Sequence, residues 1–247
     1  MTLFGRTFRP RLAPSLAALF GILVLLGLGT WQLQRLAWKE GLIAEYQARR
    51  AAPPIPLPDP ITDPAALDNR PVRLRGHFLN DQELYLGART YKGQVGFHVV
   101  TPLRLDDGRS VLVDRGWVPP DRRDPATRPQ GQLAGTVEVA GLARVGGWRG
   151  SDMFRPANQP EQNHWLWYDL PAMAARAGLE NAVTAVYVAA PPRALPGGLP
   201  IGILPGVSLR NDHLQYAITW YTLAAALLVI YFLHQSRPTG RREDGDG

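Results

Sequence analysis

The chain carries five histidines and no cysteine. Thiolate metal sites, Cys nucleophiles and Cys-x-x-Cys-His haem attachment are therefore excluded. His77, His98, His164, His213 and His234 are not spaced to share a helical or strand-face metal site, and no His-Glu-x-x-His, Gly-x-Ser-x-Gly, Walker or dinucleotide loop occurs. Hydrolase or transferase chemistry thus has no recognisable centre. His213 differs in its surroundings. Tyr216 and Trp220 follow it three and seven residues later on one helical face, and Asn211 or Asp212 can cap the helix. That arrangement sets an imidazole beside a flat aromatic wall, chemistry suited to a planar, amphiphilic ligand whose acidic groups pair with Arg35 and Arg210. The residues alone leave this open, because an interfacial histidine without a ligand gives the same pattern.

The other chemistry-bearing stretches read as structure. Gly93-Gln94-Val95-Gly96-Phe97 is expected to be a hairpin turn rather than a phosphate loop. In Val113-Asp114-Arg115-Gly116-Trp117 the acid and base are expected to staple a turn while Trp117 covers the core. The aromatic runs at Phe154–Asn158 and His164–Asp169 fit a core cover, a lipid contact or a docking surface equally well.

The elements that position His213 are apolar. No charge occurs from Leu214 to Leu233, and at about 1.5 Å per residue such a helix crosses the roughly 30 Å of bilayer hydrocarbon. A second uncharged stretch, Leu12 to Gln34, follows Arg6, Arg9 and Arg11 and lacks an Ala-x-Ala cleavage pattern, so a retained span is expected rather than a signal peptide. Ala13, Ala17 and Gly21 offer a smooth face, expected against Ala217, Ala224 and Ala225. Arginines before the first span and Arg237, Arg241 and Arg242 after the second predict two cytoplasmic termini. Trp31, Gln34, Arg35 and Trp38 share a face of a helix continuing to about Arg50.

Between the spans a proline-rich stretch gives way to period two. Val72-x-Leu74, Leu84-x-Leu86, Phe97-x-Val99, Val111-x-Val113 and Val137-x-Val139 alternate, with turns at Leu79–Gln82 and Asp106–Gly108. A helix over Leu170 to Ala177, capped by Asp169 and stopped by Gly178, and a strand over Ala182 to Ala189 complete the pattern. The expected fold is membrane-anchored α+β: two transmembrane helices flanking an extracytoplasmic antiparallel β-rich domain, a small barrel or sandwich, with one short helix. The expected boundaries are a cytoplasmic N-terminus 1–11, span 12–34, helical extension and linker 35–69, β-rich domain 70–190, connector 191–212, span 213–233 and cytoplasmic tail 234–247. A lipid bilayer is therefore an expected partner. The net charge of +6 does not signal nucleic acid, since the lysines are only Lys39 and Lys92 and the arginines are scattered among acids.

Four motifs, in order, carry a family resemblance. They are Gly29-Thr30-Trp31-Gln32-Leu33-Gln34-Arg35 with Trp38-Lys39; Gly87-Ala88-Arg89 followed by Gly96-Phe97-His98-Val99-Val100-Thr101-Pro102-Leu103; Val111-Leu112-Val113-Asp114-Arg115-Gly116-Trp117-Val118-Pro119; and Asn211-Asp212-His213-Leu214-Gln215-Tyr216-Ala217-Ile218-Thr219-Trp220-Tyr221. Together they resemble the Surfeit locus assembly-factor family of cytochrome c oxidase. The resemblance implies a non-enzymatic, two-span protein of the bacterial inner membrane with its central domain in the periplasm. It implies haem a as cargo for the oxidase catalytic subunit, haem a synthase as a further partner, and His213 as the candidate haem-iron ligand. On that reading Trp31, Arg35, Tyr216, Trp220 and Arg210 shape the pocket. Where the family pattern has two asparagines before the histidine, this chain has Asn211-Asp212. Scarce methionine, at Met1, Met153 and Met173 only, argues against copper delivery as the oxidase-related task. A scaffold that holds the oxidase subunit during maturation without binding haem is the alternative.

Overall fold

The computed structural model describes residues 2–3, 6–8, 10–193, 195–204 and 211–238. In chain order its elements are β1 (Thr2–Leu3), β2 (Arg6–Phe8), α1 (Leu12–Ala51), β3 (Ile55–Pro56), α2 (Pro64–Leu67), β4 (Pro71–Phe78), β5 (Leu84–Tyr91), β6 (Gln94–Leu105), β7 (Ser110–Val118), β8 (Thr136–Arg144), β9 (His164–Trp165), α3 (Leu170–Arg176), β10 (Ala182–Ala189), α4 (His213–Gln235) and β11 (Ser236–Pro238). The chain divides into a two-helix unit, Met1–Ala44 with Ser208–Gly247, and a barrel unit, Glu45–Val207.

In the two-helix unit α1 and α4 are long and apolar enough to cross a membrane. They pack antiparallel, with the Ser15 and Tyr231 hydroxyls 2.7 Å apart near one end and Gln32 against His213 near the other. Small residues permit the approach: a Cβ on Gly29 would lie 2.9 Å from the Tyr221 ring and one on Gly21 2.9 Å from Leu227, while Ala217 and Ala224 are buried. The expected face is thus corrected in part. Gly21, Ala217 and Ala224 lie at the contact, but Ala13, Ala17 and Ala225 are exposed. Their four-residue spacing drifts off a seam whose contacts recur every three to four residues. Leu16, Phe20, Ile218, Val229 and Phe232 face outward, the surface that a hydrocarbon environment requires.

In the barrel unit, pairing runs from β4 through β8, β10, β7 and β6 and returns to β4, so the sheet closes on itself. β5 extends it beside β6, with the short strands β3 and β9 at its ends. The closing contact depends on Gly76, where β4 passes from β8 to β6 and a Cβ would strike the Arg104 carbonyl. Most pairings are antiparallel as expected, but β10 lies parallel to β7, making the sheet mixed. The long connection from β7 through β8 and α3 gives the chain room for that crossover.

The period-two pattern separates two cores. Val111 and Val113 of β7 and Val186 and Val188 of β10 fill one, with Val72, Leu74 and Leu103. Leu112, Tyr187 and Ala189, the alternate positions, fill the other with Leu84, Leu86, Trp165 and Met173. All of β7 is therefore buried. The proline-rich stretch is more than a spacer, because Leu57 joins the first core, as does Leu67 just beyond it in α2. α3 begins and ends where its caps dictate: the Asp169 carboxylate accepts from the Ala172 amide at 3.3 Å and Gly178 takes φ +60°. Asp169→Ala is expected to lower barrel stability by about 1 kcal/mol. Denaturant midpoints would measure this, and an unchanged midpoint would show the cap to be idle.

Asp114 and Arg115 do not pair with each other, contrary to expectation, because adjacent strand residues point to opposite faces. Arg115 enters a buried ionic group. Glu83 receives both terminal nitrogens of Arg128 and the Gln132 amide, while Arg115 approaches it at 3.7 Å, bonds the Gly131 carbonyl and lies over the Phe78 ring at 4.6 Å.

Three tyrosines nearby make the fold alkali-sensitive. Burial, then Glu83, pushes Tyr85 up to about 12; burial, then Asp114, pushes Tyr187 up to about 12 and Tyr168 well above the ordinary value. Unfolded tyrosines release protons near about 10, so between about pH 10 and 12 the folded chain holds more protons and stability falls as pH rises. Arg115, pushed down to about 10 by burial, acts in the opposite sense. Three groups against one leave a net fall, readable as a declining denaturant midpoint that Tyr187→Phe should flatten; a flat or rising midpoint in the parent would contradict it.

Candidate ligand site at the start of α4

His213 is the first residue of α4. Asp212 occupies the N-cap position, at φ −93° and ψ 7°, but its side chain makes no capping bond. Asn211 does not cap either, since its Oδ1 is buried without a hydrogen-bond partner among the described residues. The imidazole is instead fixed from the other helix: His213 Nδ1 lies 2.7 Å from Gln32 Oε1. An amide oxygen only accepts, so Nδ1 carries a proton, and in the neutral ring Nε2 keeps its lone pair. A metal-binding histidine needs this tautomer, usually fixed by an oxygen on the second ring nitrogen.

The aromatic residues divide. Trp220 is half-buried, and its indole Nε1 is a buried donor with no partner among the described residues. Tyr216 is 54% exposed and Trp31 is 51% exposed, the latter next to Gln32 on α1. Ring surface is therefore available on both helices. Arg35 places its guanidinium 4.5 Å from the centre of the Trp38 ring, which holds the cation one turn beyond Gln32. Arg210 lies outside the described residues. Among the described residues, direct bonding thus joins His213 to Gln32, with Trp31 and Arg35 flanking that glutamine along α1.

Gln32 belongs to the first sequence motif, which by itself assigns it no role. Its signal was modest: an uncharged polar residue at the end of an apolar run, one turn after Gly29, which itself packs on Tyr221. A half-buried amide in an apolar helix gains from a partner, and the other helix is where one is available.

Residues 19–225, which include both Gln32 and His213, match the SURF1 family. Surfeit locus protein 1 of Mus musculus is 42% identical over 224 residues, covering 83% of this chain and 70% of that protein. The Homo sapiens protein of the same name is 42% identical over 225 residues, covering 83% and 72%. A SURF1-like protein of Monosiga brevicollis is 39% identical over 220 residues, covering 84% of this chain and 82% of its own. With most of both chains aligned at this identity, the protein described here belongs to the SURF1 family.

Proposed function

We propose that the protein is an assembly factor for a haem–copper cytochrome c oxidase, binding haem a noncovalently as cargo and passing it to the catalytic subunit. The observation that carries this is the His213–Gln32 pair, which leaves Nε2 as a donor nitrogen at the end of an apolar helix. His213 holds the iron and Gln32 fixes the ring. Tyr216, Trp220 and Trp31 supply apolar and aromatic surface, and Arg35 and Arg210 meet the propionates. One protein ligand suits a carrier, because a cargo held from one side is released without breaking a second bond. Haem a synthase is the natural donor. The arginine flanks favour a bacterial inner-membrane protein with both termini cytoplasmic and region 70–190 in the periplasm.

Titrating haem a into the detergent-purified full chain tests the reading. A saturable, one-to-one absorbance change is expected. Protein that stays colourless through the titration while copurifying with the apo-subunit would replace the carrier with a haem-free scaffold.

A further inference from the structure

The barrel unit contains a cavity of about 360 Å³ that the haem reading does not use. It is lined by Arg89 of β5, His98 of β6, Asp114 of β7 and the aromatic rings of Trp148, Trp167 and Tyr168. Its polar floor is built and locked. Asp114 has a side chain only 3% exposed and receives His98 Nδ1 at 2.8 Å and the Tyr168 hydroxyl at 2.6 Å on Oδ2, with the Gly116 amide at 3.0 Å on Oδ1. The bond to Asp114 puts the proton of a neutral His98 on Nδ1 and leaves Nε2 as its second polar atom. Gly116 is required by this geometry: it adopts φ +115° beside a bulge in the β6–β7 pairing, and a Cβ there would strike the Ile201 carbonyl.

The charges of the cavity are unevenly matched. Arg144 and Arg149 share the carboxylate of Asp68, at 3.0 Å and 3.6 Å. Arg89 bonds only the Leu166 carbonyl, at 3.3 Å, and forms no ion pair among the described residues. Asp114 makes no ion pair with it among the described residues: its Oδ2 is turned to His98 and Tyr168 and its Oδ1 to the Gly116 amide. A guanidinium with spare donors therefore borders a cavity whose single acid is committed. The walls beside it are flat: Trp148 and Trp167 give their indole N–H groups to the Ser151 and Pro156 carbonyls, so their rings have apolar surface left to offer. Tyr168 is stacked on Tyr187 at 3.9 Å, which fixes its plane.

We propose that this cavity is a ligand site of the barrel unit for a small planar organic anion, whose carboxylate pairs with Arg89 and whose ring lies between the tryptophans. The volume suits a body of one or two rings, at the low end of the few hundred Å³ usual for small-molecule pockets. A guanidinium takes a carboxylate through two parallel bonds, which supplies orientation as well as affinity.

The test is calorimetry on the full chain in zwitterionic nanodiscs, with naphthoate as the probe and the uncharged naphthamide as its isostere. Naphthoate is expected to bind one per chain and more tightly than naphthamide. Arg89→Gln should weaken naphthoate about tenfold or more and leave naphthamide within about twofold. Arg149→Gln, at the rim, should weaken naphthoate less, and Arg193→Gln, outside the cavity, should leave it unchanged. Absence of saturable naphthoate binding, equal affinity for the two probes, or an Arg89→Gln variant that keeps its strand signal and binds naphthoate as before would each overturn the proposal. The membrane unit's haem titration is a separate readout, so the two readings stand or fall independently.

Discussion

Glu83→Ala is expected to destabilise the barrel unit by about 3–5 kcal/mol, among the largest effects of any single substitution in the chain. Glu83 is one carboxylate facing two guanidinium groups, and the side chains of Arg115, Arg128 and Glu83 are each no more than 3% exposed. Removing the acid leaves two like charges buried together with neutral acceptors only: the Gly131, Arg122 and Arg123 carbonyls and the Asn80 amide oxygen. The cost comes from that uncompensated charge rather than from lost packing, so Glu83→Gln, which preserves shape, should be nearly as damaging as alanine. A triple replacement of Glu83, Arg115 and Arg128 by apolar side chains of similar volume should recover most of the loss, since such cores often do as well as the ionic group they replace. Infrared amide I bands report the strands without the helices, and thermal melts followed there would measure all three variants. A loss below about 1 kcal/mol for Glu83→Ala would mean that water reaches the arginines, and the group would then contribute no more than a surface pair.

This ionic group also marks where the sequence stops being informative. Arg115 lies 16 positions from Gly131 and Arg128 lies 45 from Glu83, separations at which no periodicity operates. What was legible depended on local rules. The alternation of Val111, Leu112 and Val113 gave a strand, Asp169 and Gly178 bounded α3, and uncharged length gave two apolar helices. The alternation left barrel and sandwich both open, because closure rests on Gly76 meeting the Arg104 backbone, and a lone glycine in a strand gives no hint of its partner. The insertion of β10 between β7 and β8 was hidden for the same reason: strand order is set by which apolar faces fit together, not by the alternation within either strand. At the candidate site, position alone separated His213 from the other four histidines. Gln32 stands inside the first motif without a role, because its partner is 181 residues away. The alanine face was half right, since small residues do line the helix contact, but a four-residue repeat drifts off a seam that repeats every three to four.

His213→Ala should abolish the axial-ligand signature of bound haem a, and Gln32→Leu should weaken haem a binding about 10–100-fold while leaving the helices paired. The second result separates orientation from packing. Losing one interhelical hydrogen bond in a membrane costs about 0.6 kcal/mol on average, too little to part helices still joined by the Ser15–Tyr231 and Thr30–Tyr221 hydroxyl contacts and by close approach at Gly21 and Gly29. Without Gln32, however, the ring of His213 can rotate, and its proton is free to move to Nε2, the position the iron needs. Affinity should therefore fall although the ligand residue is intact, and the optical and paramagnetic signatures should broaden into a mixture. Gln32→Glu keeps an acceptor against Nδ1 and should restore ligation with a sharper signature, because a carboxylate raises the basicity of the ring it holds. If Gln32→Leu binds haem a as tightly as the parent while His213→Ala does not, the glutamine is only a packing residue. If neither variant differs from the parent in occupancy or spectrum, the iron is held elsewhere, and the lone pair left on Nε2 by the 2.7 Å contact has no part in carrying the cargo.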